Sequence, residues 1–322
     1  MAENLRFCGP ALIADETVLH NVIQMVTDII TKQHPCQMEF VPEEETIEAG
    51  EETSEFDWVV VDTALDVVSG MAAALGQSFA ELWKVFEKTI LRYASSTESL
   101  ERATAVGVLA ECINGMGAAV TPFTSVFLKL LLHRLGDEDP QTRSNAAYAV
   151  GRLVERSNSD AEIVKEFPTI LSHLESCLQM NVSRLQDNAT GCVSRMILRH
   201  RDHIPTKDVL PVLVNILPLK NDFEENDPLY RMICQMCKFF PFPLPPIFFP
   251  LLDFSTDLIF FNPDKWEDAT IRELTPRLLP VFQAVLTGDE DQLDDERRAE
   301  LIELVKWLNQ MQPGAAPWAE QL

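Results

Sequence analysis

One motif of small, apolar and polar residues recurs three times along the chain at nearly constant spacing. Its first copy is Glu101-Arg102-Ala103-Thr104-Ala105-Val106-Gly107-Val108-Leu109-Ala110-Glu111-Cys112-Ile113. The second runs from Gln141 to Val154 and contains Arg143-Ser144-Asn145-Ala146-Ala147-Tyr148-Ala149-Val150-Gly151-Arg152. The third is Gln186-Asp187-Asn188-Ala189-Thr190-Gly191-Cys192-Val193-Ser194-Arg195-Met196-Ile197. Arg102 and Arg143 are 41 residues apart, and Asn145 and Asn188 are 43 apart. A chain that repeats one unit at that distance stacks neighbouring units instead of closing around one central core.

The period is that of HEAT-type helix pairs, about 40 to 47 residues. Within each copy the small residues (Ala105 and Ala110, Ala146 and Gly151, Ala189 and Ser194) mark where one helix approaches its neighbour closely, and apolar residues three and four apart complete that face. Bulkier, leucine-rich helices are expected between the copies: from Ser78 onward, Phe123 to Leu135, Ala161 to Leu178 and Asp208 to Leu217. Pro122 gives a first-turn signal for the second of these. Further helices are expected at Ala14 to Lys32, Glu55 to Leu75, Trp266 to Leu286 and Asp294 to Met311. The fold class is therefore all-α: a HEAT-repeat solenoid, a superhelix of about seven antiparallel helix pairs over residues 1–312. Residues 313–322 are expected to fray.

The 322 residues carry 50 Asp+Glu against 26 Lys+Arg, a formal net charge of −24 at pH 7. Such a surface repels phosphate backbones and anionic lipid heads, so direct binding to nucleic acid or membrane is disfavoured and a basic protein partner is favoured. Eight of the carboxylates fall between residues 43 and 57 (Glu43, Glu44, Glu45, Glu48, Glu51, Glu52, Glu55 and Asp57), and no Lys or Arg occurs between Lys32 and Lys84. This run reads as a solvated, mobile insertion, as an electrostatic lure for basic cargo, or as both. Two shorter acidic loops, Asn221 to Asp227 and Thr287 to Glu296, mark turns; in the latter, Asp294 to Glu296 complement the dipole of the last helix. No uninterrupted apolar run of 18 residues is expected to span a membrane, and the apolar segment from Phe239 to Phe249 is broken by prolines into a packed turn. The amino terminus lacks a signal-peptide pattern. The seven cysteines, odd in number, read as reduced thiols of a cytosolic or nuclear protein.

Cys234-Gln235-Met236-Cys237 and the pair His200 and His203 raise the question of zinc. Both lie in helical patterns without the loop knuckles that a tetrahedral site needs, so core thiols are expected and no metal or cofactor is assigned. The chain lacks GxSxG, HExxH, a Walker A loop and a Rossmann fingerprint, and its 12 glycines are scattered, so no enzymatic activity is expected. The remaining candidate is a polar ladder across the repeats: Thr104, Asn145 and Asn188; Gly107, Tyr148 and Gly191; Glu111, Arg152 and Arg195. Asn145 and Asn188 are placed either to bond the backbone of an extended peptide or to bridge to the neighbouring helix. If the ladder faces a ligand, Asp187 and Glu111 supply carboxylates and Tyr148 an aromatic wall around a lysine ammonium.

The block from Asp137-Glu138-Asp139-Pro140 through Arg143-Ser144-Asn145-Ala146-Ala147-Tyr148-Ala149-Val150-Gly151, and again Leu185 to Met196, resembles the late repeats of importin-beta-family nuclear transport receptors. The resemblance implies a HEAT superhelix that shuttles between cytoplasm and nucleus, meets FG nucleoporins and releases cargo to Ran-GTP. It further implies basic cargo on an acidic concave face: histones H3 and H4, with a histone chaperone, and ribosomal proteins. Asn145, Asn188, Asp187, Glu111 and Tyr148 then hold a lysine of the histone H3 tail or nuclear localisation signal. The amino-terminal repeats that carry the family's principal Ran contact have no counterpart, so no Ran contact is expected from this chain alone. A competing expectation is a HEAT scaffold or regulatory subunit of other protein complexes, such as a phosphatase or ubiquitin-ligase regulator.

Overall fold

The computed structural model describes residues 1–9, 11, 14–37, 49–237, 269–288 and 292–321, with the helical residues 49–57 and 269 described by their backbone alone. Among these residues there are fourteen α-helices and no strand. The chain divides into two compact units, Met1–Leu185 and Gln186–Leu322.

In the first unit, helices of two kinds alternate. Helices α1 (Ala2–Cys8), α3 (Ala49–Leu75), α5 (Ser99–Met116) and α7 (Pro140–Arg156) pack successively on one another. Helices α2 (Glu16–Ile30), α4 (Phe79–Tyr93) and α6 (Thr124–Leu135) each pack against the helix that follows. The first row holds the small residues. A Cβ at Gly70 would lie 2.8 Å from the Ala2 carbonyl oxygen, and one at Gly115 2.6 Å from that of Ala72, so both close approaches require glycine. The second row supplies bulk: Trp83 and Phe127 meet edge to face at 5.3 Å, both fully buried.

The loops are tied by charge. Asp137, in the turn before α7, accepts from Arg102 Nη2 at 2.9 Å, Arg102 Nε at 3.1 Å and Arg134 Nη1 at 2.6 Å. Arg102 also donates to the carbonyls of Ser96 and Thr97, at 3.1 and 2.7 Å. Burial pushes the Asp137 carboxyl up, but the bonds from Arg102, the Asp139 N–H and Arg134 outweigh it and hold the group below its ordinary range. Asp139 then caps α7, accepting from the Thr142 N–H at 2.8 Å, with Pro140 in the first turn.

Several expectations need correction. The span from Ala161 to Leu178 is two helices, α8 (Asp160–Lys165) and α9 (Phe167–Gln179), because Pro168 in the first turn of α9 has no N–H to continue the ladder. Helix α3 begins at Ala49, six residues before the expected Glu55, so Glu51, Glu52, Glu55 and Asp57 are helical in backbone. Acidic residues in the first turns of a helix are favoured by its dipole. Glu43, Glu44, Glu45 and Glu48 lie outside the described residues, as does the segment 239–249.

Two stretches, Trp58–Tyr93 and Ser99–Leu135, contain 18-residue windows with mean hydropathy of 1.6 and 1.5, long and apolar enough to cross a membrane by composition. Both stretches carry charged residues, among them Asp62, Asp66, Arg102 and Glu111, so neither is an uninterrupted apolar run. Each is interrupted by a turn at a left-handed glycine, Gly76 at φ 57° and Gly117 at φ 52°, and so forms two helices: α3 and α4, both packed on α5, and α5 and α6, both packed on α7.

The second unit contains α10 (Ser183–His200, which starts three residues before the unit does), α11 (Thr206–Ile216), α12 (Asn226–Met236), α13 (Ala269–Thr287) and α14 (Asp295–Met311). Here α11 packs with α13, α12 with α14, and α13 with α14. Asp294 caps α14 through the Arg297 N–H at 2.7 Å. The segment after Met311 is docked, not frayed: Ala316 and Ala319 are buried, the 3-10 turn Pro317–Gln321 packs on α14, and the Ala316 N–H donates to Asn309 Oδ1 at 3.1 Å.

Candidate functional site

In the first unit the polar columns of α5 and α7 form a partly exposed strip. Thr104, Gly107, Glu111 and Asn114 line α5, and Asn145, Tyr148, Arg152 and Glu155 line α7; all are half-buried. Their register is fixed at both ends. Asn145 Nδ2 donates to the Ala103 carbonyl at 2.8 Å and lies 3.2 Å from where a Gly107 Cβ would stand. Farther along, Arg156 Nη2 donates to Asn114 Oδ1 at 3.0 Å. Both pairings join residues 42 apart, so Glu111 is level with Arg152 and lies about one helical turn beyond Tyr148.

Asn145 takes the bridging role that the sequence left open. Its amide joins α7 to α5 and accepts from Gln141 Nε2 at 3.1 Å, while its partial exposure leaves it on the strip. Tyr148 supplies a ring, over which Arg152 places its guanidinium carbon 5.0 Å from the centroid. Arg152 Nη1 also donates to Glu155 Oε2 at 3.1 Å.

The structure does not bring Asp187 and Asn188 onto an open ladder. Asp187 is 1% exposed and Asn188 2% exposed. The Asp187 carboxylate accepts from three backbone N–H groups, those of Lys220, Asn221 and Asp222, at 3.1, 2.7 and 3.0 Å. This is a nest for an anion built from the turn after α11. Gly191 and Arg195, expected in the same exposed columns, are buried too. A Cβ on Gly191 would run into the Glu225 carboxylate, and Glu225, fully buried, is gripped by both terminal nitrogens of Arg195, one of them at 2.9 Å. The turn between α11 and α12 thus covers the polar face of α10 within this unit. Glu225 escaped the sequence reading because its partner lies 30 residues away; a glycine in a polar column was the available signal.

Beside that turn is a cavity of about 490 Å³ lined by Asp222, Glu224, Asp227 and Asp294 with Phe223 and Arg297. Arg297 is bound to Asp227, Nε to Oδ1 at 3.0 Å, and to Glu300. Cys234 and Cys237 are buried, and burial pushes the Cys234 thiol up. His203 is exposed. Among the described residues no group of three His, Cys, Asp or Glu side chains is arranged to hold a metal ion.

With this geometry in place, the relatives decide the family. The chain is 37% identical over 290 residues to the probable importin subunit beta-4 of Schizosaccharomyces pombe, covering 88% of this chain and 24% of that protein. It belongs to the importin-beta family. Human importin-4 is 31% identical over 224 residues, 69% of this chain and 20% of importin-4. The family described as IPO5-like, TPR repeats matches residues 59–197. Although that description speaks of TPR repeats, whose period is about 34 residues, the spacings of 41 and 43 are those of HEAT pairs. A crystal structure of importin beta in an ammonium sulfate condition superposes with a TM-score of 0.54 at 14% identity, covering 98% of this chain and 40% of that one, and shares its fold. The chain spans about a quarter or less of the length of these curated relatives, 24% and 20%.

Proposed function

We propose that this chain is the cargo-holding portion of a nuclear transport receptor and binds an extended basic segment along the α5/α7 strip. Carrying the proposal is the conjunction of importin relatives with a half-buried strip that carries Asn145, the Tyr148 ring and, about one turn farther along, Glu111. The net charge of −24 supplies long-range attraction for a cationic segment. At short range, a lysine ammonium pairs with the Glu111 carboxylate and lies against the Tyr148 face, while the Asn145 amide contacts the segment's backbone.

A histone H3 tail or similar nuclear localisation signal has the required chemistry, so histones H3 and H4, with a chaperone, and ribosomal proteins are the proposed cargo. Engagement of FG nucleoporins and Ran-GTP, and shuttling between cytoplasm and nucleus, belong to the same proposal for the complete receptor. Asp187 and Asn188 are left out of the lysine seat because both are buried and Asp187 braces its own turn.

The test is fluorescence anisotropy with a labelled H3-tail peptide. Glu111→Gln and Tyr148→Leu should each weaken binding several-fold, and an acidic control peptide should not bind. Unchanged affinity in both variants would refute the strip as the site.

A further inference from the structure

A charged clamp that joins one repeat is missing its carboxylate in the next. Arg102 is buried, and Asp137, 35 residues on, accepts from its Nη2 at 2.9 Å and its Nε at 3.1 Å. Arg143 takes the same place one repeat later, 41 residues after Arg102 and near the start of α7. It reaches the end of α9 and meets no carboxylate there. Its Nη1 donates to the Met180 sulfur at 3.1 Å, and its Nη2 to Ser176 Oγ at 3.1 Å and Cys177 Sγ at 3.3 Å. Its Nε is buried without a hydrogen-bond partner, and Arg143 has no ion pair among the described residues. Thioether and thiol sulfurs are weak acceptors, so a half-buried positive charge is left uncompensated.

Of the three side chains that accept from Arg143, Ser176 is the exposed one; Cys177 is buried and Met180 half-buried. We propose that Ser176 is a phosphorylation site and that the Arg143 guanidinium is the seat of its phosphate. A protein kinase supplies the group from ATP: Ser176 Oγ attacks the γ-phosphorus, the bond from that phosphorus to the ADP oxygen breaks, and the hydroxyl proton passes to the kinase's base. Phosphoserine carries about −1.5 to −2 charges at pH 7 and three strong acceptor oxygens, so it can give Arg143 the two-point pairing that Asp137 gives Arg102. With Oγ already 3.1 Å from Nη2, those oxygens fall within reach of the guanidinium. Glu175 and the carbonyl end of α9 oppose further negative charge, so the phosphate stabilises the helix pair only through Arg143. Ser176 lies in the last turn of α9, which ends at Gln179, where fraying presents the hydroxyl to a kinase. Arg143 reaches α9, whereas Asn145, two residues on, reaches α5, so the mark ties α7 to α9 and leaves the strip open. The proposal does not depend on the strip reading.

The experiment has two arms. In the first, the protein is isolated from its own cells with phosphatase inhibitors, during growth, starvation and mitosis, and its peptides are mapped by mass spectrometry; phosphate is expected on Ser176. In the second, the whole chain is made with genetically encoded phosphoserine at position 176, alone and with Arg143→Gln or Arg143→Lys, and titrated by phosphorus NMR. The second phosphate proton, which ordinarily leaves near pH 6, should dissociate about tenfold more readily beside Arg143 than in Arg143→Gln. Arg143→Lys keeps the charge and should restore most of that difference, which separates a phosphate seat from mere loosening of the helix pair. Thermal unfolding by circular dichroism should move up by about 2 to 4 °C on phosphorylation with Arg143 present, and not with Arg143→Gln. A phosphate that titrates alike in all three chains, or that lowers the melting temperature whether or not Arg143 is present, overturns Arg143 as its seat. Recovery of the Ser176 peptide in its unmodified form alone under every condition overturns the modification.

Discussion

Replacing Asp187 with alanine separates a structural carboxylate from a ligand-binding one. The side chain is 1% exposed, and its Oδ2 accepts from the N–H groups of residues 220, 221 and 222 at 3.1, 2.7 and 3.0 Å. A hydrogen bond to a charged group contributes about 1.5 to 3 kcal/mol net. Three such bonds to one oxygen do not add, and Lys220 and Asn221 are exposed, so water reaches part of the turn once the carboxylate is gone. The expected loss is therefore about 3 kcal/mol, which for a unit of this size lowers the melting temperature by roughly 6 to 12 °C. Asp187→Asn keeps an acceptor and loses the charge, so about half the effect is expected. The assay is thermal unfolding followed by circular dichroism, with basic-peptide affinity measured below the transition. An unchanged melting temperature with lost peptide binding in Asp187→Ala would refute the reasoning and return Asp187 to the ligand seat.

Three further outcomes follow from the same contacts. Gly191→Ala would drive a Cβ into the buried carboxylate held by Arg195 and disturb that pair, so a destabilisation of about 3 kcal/mol is expected in chemical denaturation. Asp137→Ala leaves Arg102 and Arg134 buried without their carboxylate and should cost about 3 to 5 kcal/mol, read from the denaturation midpoint. Because Asp137 titrates below its unfolded value in the folded chain, its stabilisation is fully present above pH ~4 and is lost as pH falls through the lowered value. The wild type should therefore lose stability on acidification more steeply than Asp137→Asn. Thiol titration should count two fast cysteines, Cys8 and Cys36, and release the five buried ones only on unfolding. A fast-reacting Cys112 or Cys234 would contradict the packing.

The elements read directly from sequence were those governed by local chemistry. The 41- and 43-residue spacings announced the helix pairs, Asp294 announced the start of α14, and alanines marked the close contacts of the α5 and α7 row. Failures came where a residue's partner is remote in sequence. Asp187 and Asn188 share the motif of the second copy, yet the turn 220–222 and Glu225 bury that face, and periodicity alone does not register a covering turn. Arg152 was placed in the polar ladder beside Tyr148, but its four-residue separation along one helix brings it over the ring instead of leaving the ring vacant. The tail likewise docks through Ala316 and Ala319, which are too small to give an apolar pattern in the sequence.

The central claim, that a basic segment lies along α5 and α7, is tested most directly by photo-cross-linking a lysine-rich peptide carrying a photoreactive lysine analogue and mapping the adducts by mass spectrometry. Adducts are predicted on the strip from Thr104 to Asn114 and from Gln141 to Arg156, fading as salt rises from low to about physiological strength and beyond. Adducts confined to α4 and α6, or of constant yield at every salt concentration, would contradict it.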